Sequence, residues 1–286
     1  MGRTHRGLTR GPRRPKEQSC PSSPSTLARP VTDAAPARRR ARAPRIKQEE
    51  LRERMLLAAE ELLGGRGLGV NAYPLNMEDL IRQVGVPRSS AFHAFGSKEN
   101  LVFQLAMRLL PPESPLAAFF AKTLDDAADA VGAENPGCLD TAEGRRAALL
   151  ETVRRALTTM HATLAGSARW RTFRALSMSL DSFPDDERAV LLDRLETIQN
   201  QYLEIMSAAY ERLFARFGRR IVSGLGMGHF VRTASSVLEG VATSSAFGQS
   251  FADETAELPG IDGEPVEWHL SAIAFLGLVD GMTEPA

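Results

Sequence analysis

An all-α fold is predicted for this 286-residue chain, with a three-helix head near the N-terminus and a larger helical body behind it. Two observations carry that expectation. Apolar residues recur at three- and four-residue steps through most of the chain beyond residue 45, with glycines and prolines standing between the runs. Signals for β-strands are few, and 43% hydrophobic content is enough to bury a sizeable core.

Residues 1–44 come first and differ from the rest. They are rich in Arg, Pro, Ser and Ala, with eleven basic residues against Glu17 and Asp33. Such a segment buries too little apolar surface to offset its ordering entropy, so a disordered basic arm is expected. Two uses stay open for it: a solubilising or upstream extension, or a phosphate-contacting arm built on Arg38, Arg39, Arg40, Arg42 and Arg45. Residues 45–110 carry a net charge near +1 and the remainder about −10, although the whole chain sums to zero. A basic arm ahead of an acidic body suggests a polyanion contacted at one end only.

The head, residues 45–110, is legible helix by helix. Leu51, Met55, Ala58, Ala59, Leu62 and Leu63 form one apolar stripe, stopped by Gly64 and Gly65. Asn76 is a good N-cap for a second helix that buries Met77, Leu80, Ile81 and Val84. Gly85 breaks that helix, Pro87 suits the first turn of a third running to about Phe95, and Gly96 breaks the chain again. Ser97 caps a fourth helix carrying Leu101, Val102, Leu105 and Leu109, which Pro111-Pro112 end. Two short helices meeting at a tight glycine turn are suited to placing one helix in a DNA major groove while its partner braces it.

In the body, residues 111–286, helices are expected near 145–165, 170–180, 185–217, 227–247 and 266–281. The last two are rich in small and apolar residues. Ala234, Gly240, Ala242, Ala274 and Gly277 permit close helix approach, while Leu238, Val241, Ile273 and Leu278 supply apolar area, so pairing with a second copy in a homodimer is expected.

The stretch LNMEDLIRQVGVPRSSAFHAFGSKENL, residues 75–101, resembles the tetracycline-repressor-like (TetR-type) regulators. The resemblance lies in Asn76, Leu80-Ile81, Gly85-Val86, Phe92 with Phe95, and Ser97-Lys98-Glu99, with Ala58-Ala59-Glu60 matching the family's first helix. It covers roughly residues 46–110. The usual Leu-Tyr pair stands here as Ala91-Phe92, so the phenolic hydroxyl is missing, and Ala94 replaces a histidine. The resemblance implies a homodimeric regulator of transcription that binds a double-stranded operator of pseudo-palindromic sequence and is released by a small-molecule effector. It implies that Ser89, Ser90 and His93 face the groove, with Arg88 reaching a base or phosphate.

Lys98 and Asn76 stand at helix starts suited to phosphate, and Arg45 and Lys47 add cations ahead of the first helix. Phe92 is counted with this set, though its own expected place, with Phe95, is the head's small core. For an effector among the middle helices, the candidates are Met160, His161, Trp170, Phe173, Met178, Phe183, Tyr202 and Met206, each of which also suits plain core packing.

No cofactor or metal site is expected. The five histidines have no metal-ligand spacing, Cys20 and Cys138 are far apart, and no nucleophile elbow or phosphate loop is present. With no apolar run of about 18 residues, no membrane partner is expected and the cytoplasm is the expected location. A helical sensor or scaffold that has lost DNA binding remains the competing reading.

Overall fold

The computed structural model describes residues 47–69, 75–244 and 254–286. The basic arm and Arg45 lie outside the described residues, as does the end of the helix expected to reach 247. Ten α-helices dominate what is described, so the fold is all-α: α1 (Gln48–Leu63), α2 (Met77–Val84), α3 (Arg88–Phe95), α4 (Lys98–Leu109), α5 (Pro115–Glu134), α6 (Ala142–Gly166), α7 (Ala168–Ser179), α8 (Asp185–Arg216), α9 (Met227–Ser244) and α10 (Leu270–Met282).

The head forms where local chemistry places it. Gly64 ends α1 at φ 53°, Gly85 ends α2 at φ 72°, and Gly96 follows α3 at φ 76°. A side-chain-bearing residue enters this left-handed region only at a cost, so glycine is the natural stop at all three. The Asn76 side-chain oxygen accepts from the Glu78 amide at 3.0 Å, and Ser97 Oγ accepts from the Asn100 amide at 3.1 Å. Both caps satisfy amides that the first helical turn leaves without partners. Pro87 stands one residue before the first turn of α3, as its N-cap.

Two buried clusters divide the apolar interior. The first gathers the inward faces of α1–α4 (Leu51, Met55, Leu80, Phe95, Leu101 and Leu105 among them) together with Leu176 of α7 and Leu191, Leu195 and Ile198 of α8. The second joins α5, α6, the C-terminal half of α8, α9 and α10. The sequence boundary at residue 110 therefore falls inside a shared core. At 32 residues and about 1.5 Å per residue, α8 is roughly 48 Å long, and it contributes its first half to one cluster and its second half to the other.

At the centre of the second cluster, Phe230 of α9 is fully buried and meets three rings: Tyr210 (centroids 5.1 Å apart), Phe214 (5.0 Å) and Phe275 (5.6 Å), each near edge-to-face. This cluster ties α8, α9 and α10 together.

Three features depart from the periodicity. The sequence pattern does not delimit α5, because alanines dilute its stripe of Phe120, Leu124 and Val131. The helix expected from 266 begins at 270. Before it, β2 (Thr255–Pro259) and β3 (Pro265–His269) pair as an antiparallel ribbon, with Val266 half-buried, Glu267 exposed and Trp268 buried. That two-residue alternation, starting at a proline, suits a strand. A second short ribbon pairs β1 (Arg219–Ile221) with β4 (Thr283–Pro285).

Among the expected dimer residues, Ala234, Leu238 and Ala242 turn inward, each 3% exposed, and belong to the chain's own core. Gly240 and Gly277 are exposed; Val241, Ile273, Ala274 and Leu278 are half-buried.

Candidate nucleic-acid interface and effector cavity

Helix α3 buries Ala91, Ala94 and Phe95 against the head, and none of its charged residues turns inward. Arg88, Ser89, Phe92 and His93 are exposed; at steps of one and four residues they form one outward stripe, while Ser90 is half-buried at its edge. An α-helix with its side chains is about 10–12 Å across, comparable with the width of a major groove. Two side chains of α1 hold its C-terminal end: Arg52 Nε donates to the Ala94 carbonyl at 2.8 Å, and Gln48 Nε2 to the His93 carbonyl at 3.4 Å. The outward stripe is therefore carried on a fixed rod.

Phe92 does not join the small core. It is 36% exposed, and the Arg88 guanidinium lies 5.3 Å from its ring centroid. The reason is register: Ala91, Ala94 and Phe95 make up the inward face, and Phe92 lies about 100° round the helix from Ala91, on the outer side of Phe95. Arg88 also pairs with Glu78 of α2 at 3.0 Å, with both side chains largely in solvent. An exposed pair of this kind is worth about 1 kcal/mol or less, so a phosphate competes readily for the guanidinium. Lys47, Asn76 and Lys98 are exposed around the same head. The Asn76 oxygen is engaged by the α2 cap, which leaves its amide hydrogens to donate outward. Glu78 and Asp79 stand in the first turn of α2 and oppose an approaching anion there.

Behind the head lies a cavity of about 60 Å³. Of the residues expected around an effector, Trp170, Phe173 and Tyr202 line it. The others are elsewhere. Met160 and Met206 are core residues at 1% and 0% exposure, and Met178 is 72% exposed. His161 is buried with its ring edge-on to that of His269, centroids 4.4 Å apart. Phe183 packs beside the head cluster. The remaining lining comes from Leu116, Phe120, Leu164, Ile198 and Leu238, with Ser114, Arg169, Gln199, Ser235 and Glu239 as polar members. No sequence signal marks this polar set, because the loop before α5 and helices α7, α8 and α9 each supply part of it.

The cavity's polar chemistry is uneven. Ser235 Oγ donates to the Val231 carbonyl at 2.9 Å and lies 3.1 Å from the Tyr202 hydroxyl. A serine has one hydroxyl proton, so the phenol supplies the proton between them. Burial pushes the Tyr202 phenol up to about 12, so it keeps that proton throughout the physiological range. Burial raises the Glu239 carboxyl against the opposing pull of Arg174, which pairs with it at 3.2 Å. The Trp170 indole N–H is buried and meets no acceptor.

The cavity wall also reaches the head. Thr172 Oγ1 accepts from the Leu68 amide at 3.0 Å, and Arg171 donates to the carbonyls of Gly65 (3.1 Å) and Arg66 (2.8 Å). From α8, Arg194 donates to the Leu110 carbonyl at 2.6 Å. Helix α7 thus touches the loop after α1 and α8 touches the end of α4, while both helices line the cavity.

No protein-family model matches the chain, and no curated protein matches it. Among solved structures, similar chains include reduced NemR from E. coli (14% identity, 82% of this chain and 98% of that one, TM-score 0.42). A TetR-family transcriptional regulator from Agrobacterium tumefaciens is 18% identical over 70% of this chain and 88% of its own, at TM-score 0.39. PfmR, a TetR-family transcriptional regulator from Thermus thermophilus, is 17% identical over 66% and 85%, at TM-score 0.33.

Proposed function

We propose that this chain is a DNA-binding regulator of transcription, a homodimer that represses by occupying a pseudo-palindromic operator and leaves it when a small molecule enters the cavity. One observation carries the reading: α3 presents Arg88, Ser89, Phe92 and His93 to solvent on a short rod whose other face is locked into the head. Hydroxyl, imidazole and guanidinium groups are suited to base edges and phosphates, and an exposed aromatic ring suits contact with a thymine methyl.

Dimerisation is assigned to the outward residues Gly240, Val241, Ile273, Ala274, Gly277 and Leu278 of α9 and α10, where small side chains allow close helix approach. A two-fold pair presents two α3 helices to half-sites about 34–36 Å apart. The effector acts by population shift, favouring a conformation in which α7 and α8 hold the two heads at another spacing.

Selection of bound fragments from genomic DNA, followed by gel retardation, tests the reading. A discrete site is expected, and the double variant His93→Ala/Ser89→Ala is expected to weaken it by about tenfold to a hundredfold with little change in melting temperature. Retention of full affinity by that variant would remove α3 from the interface. Deleting residues 1–40 is expected to flatten the dependence of affinity on salt, because the arm's arginines no longer displace counterions. An unchanged slope would exclude the arm.

The competing reading is a helical sensor that binds no DNA. The Arg88–Glu78 ion pair and the two carboxylates at the start of α2 favour it. Absence of any retarded fragment at low salt would decide for it.

A further inference from the structure

The chemistry of the cavity discriminates between ligand charges. Arg169 and Trp170, neighbours in the first turn of α7, both line it. Arg169 is half-buried, and its Nη2 donates to the carbonyls of Pro111 (2.5 Å) and Glu113. Its Nε and Nη1 hydrogens meet no acceptor, and no carboxylate lies within ion-pair distance of it, among the described residues. Burial lowers its affinity for its proton, with Glu113 opposing that and Arg194 adding to it. A half-buried guanidinium with no carboxylate in direct contact has hydrogens left to donate, and an incoming anion supplies the partner they lack.

The buried Trp170 indole N–H is a second donor without an acceptor, and leaving such a donor unmatched is costly. The one carboxylate on the lining, Glu239, already has its cation in Arg174. The positive end of the α7 dipole lies at the same turn. Phe120, Phe173, Tyr202, Leu116 and Ile198 complete the lining with an aromatic and aliphatic wall.

We propose that the cavity's ligand is a small organic anion, an aryl-bearing carboxylate whose head is taken by Arg169 and the Trp170 indole and whose ring lies among Phe120, Phe173 and Tyr202. This rests on the reading of the cavity as an effector site. With a free volume of about 60 Å³ as it stands, the site has room for only a few waters, so a single-ring ligand enters with outward movement of Phe173 or Gln199.

The test compares three probes of equal length on the full chain: 3-phenylpropionate, 3-phenylpropanol and 3-phenylpropylamine. Tryptophan fluorescence and thermal shift report binding. The acid is expected to bind about tenfold or more tighter than the alcohol, and the amine weakest. Arg169→Gln is expected to remove the preference for the acid, Arg169→Lys to keep part of it, and Trp170→Phe, read by thermal shift, to weaken the acid severalfold and the alcohol less.

Because Arg169 also fastens the loop at 111–113, circular dichroism of each variant is compared with the parent, and the lysine variant separates lost charge from lost folding. Tighter binding of the amine, equal binding of acid by parent and Arg169→Gln, or no binding of any probe at millimolar concentration would overturn the proposal. Gel retardation of ligand-free protein runs alongside. Uptake of the acid without any DNA binding defeats the regulatory reading alone; DNA binding with preference for the amine defeats the anion proposal alone.

Discussion

Replacing Phe230 by alanine is expected to cost about 3–5 kcal/mol. The residue is fully buried and sits edge-on to Tyr210, Phe214 and Phe275, so removing the ring leaves a void bordered by three rigid neighbours. Rigid walls collapse poorly into a cavity, which places the cost toward the upper end of the range. The edge-to-face attraction of the missing ring adds to it. The measurement is thermal or denaturant unfolding against the parent. Phe230→Leu is the control; it fills most of the volume and is expected to cost less than half as much. The change also loosens α9 against α10, so if these helices form the proposed dimer seam, the fraction of dimer at low concentration is expected to fall. A loss below about 1 kcal/mol would show that α8, α9 and α10 repack around the gap.

Gly67→Ala is the second large effect, and it acts on the joint between head and cavity. Gly67 has φ of 78°, and a Cβ there would lie 2.4 Å from the Ala168 carbonyl oxygen and 2.7 Å from Thr172 Oγ1. Both atoms are held. Ala168 opens α7, and Thr172 accepts from the Leu68 amide and donates to the Ala168 carbonyl. The backbone strain alone costs about 1–2 kcal/mol, and the overlap adds about 1–3 kcal/mol. Gly65→Ala separates the two contributions, since its φ is 73° and nothing lies within 4 Å of its added Cβ. Gly67→Ala is expected to lower the melting temperature several degrees further than Gly65→Ala. If the chain binds DNA and a cavity ligand as proposed, the variant is also expected to blunt the response of one to the other, because the clash parts α7 from the head. Equal effects at the two glycines would show that the loop moves aside at no cost.

Much of the head is readable from its residues because its determinants are local. Asn76, Gly85, Gly96 and Ser97 each act on their own or adjacent turns, and each stands where the sequence places it. Phe92 departs from its expected place in the small core because hydrophobicity alone does not tell an inward ring from an outward one on a helix of eight residues. The position of Phe95 decides it. In the body, periodicity finds α6, α7 and α8 to within a few residues, yet it reveals the cavity only in part. Trp170, Phe173 and Tyr202 have the composition of a pocket wall, and so do Met160, Met178 and Met206, which lie elsewhere. What separates them is the packing of α7 against α8 and α9, which no local pattern encodes. Arg169, Ser114 and Glu239 carry no signal at all until those elements are brought together. The β2–β3 ribbon escapes a periodicity reading because its alternation lasts only five residues on each side.

The division of α8 between two apolar interiors bears on how this protein can be re-engineered. A chain cut after Leu110 would lose Leu176, Leu191, Leu195 and Ile198, stripping the shared core of the apolar residues that α7 and α8 bring to α4. The head is therefore not a detachable cassette. Grafting it onto another body requires carrying Leu176 of α7 and roughly the first four turns of that shared strut along with it, or designing a substitute lid of the same shape.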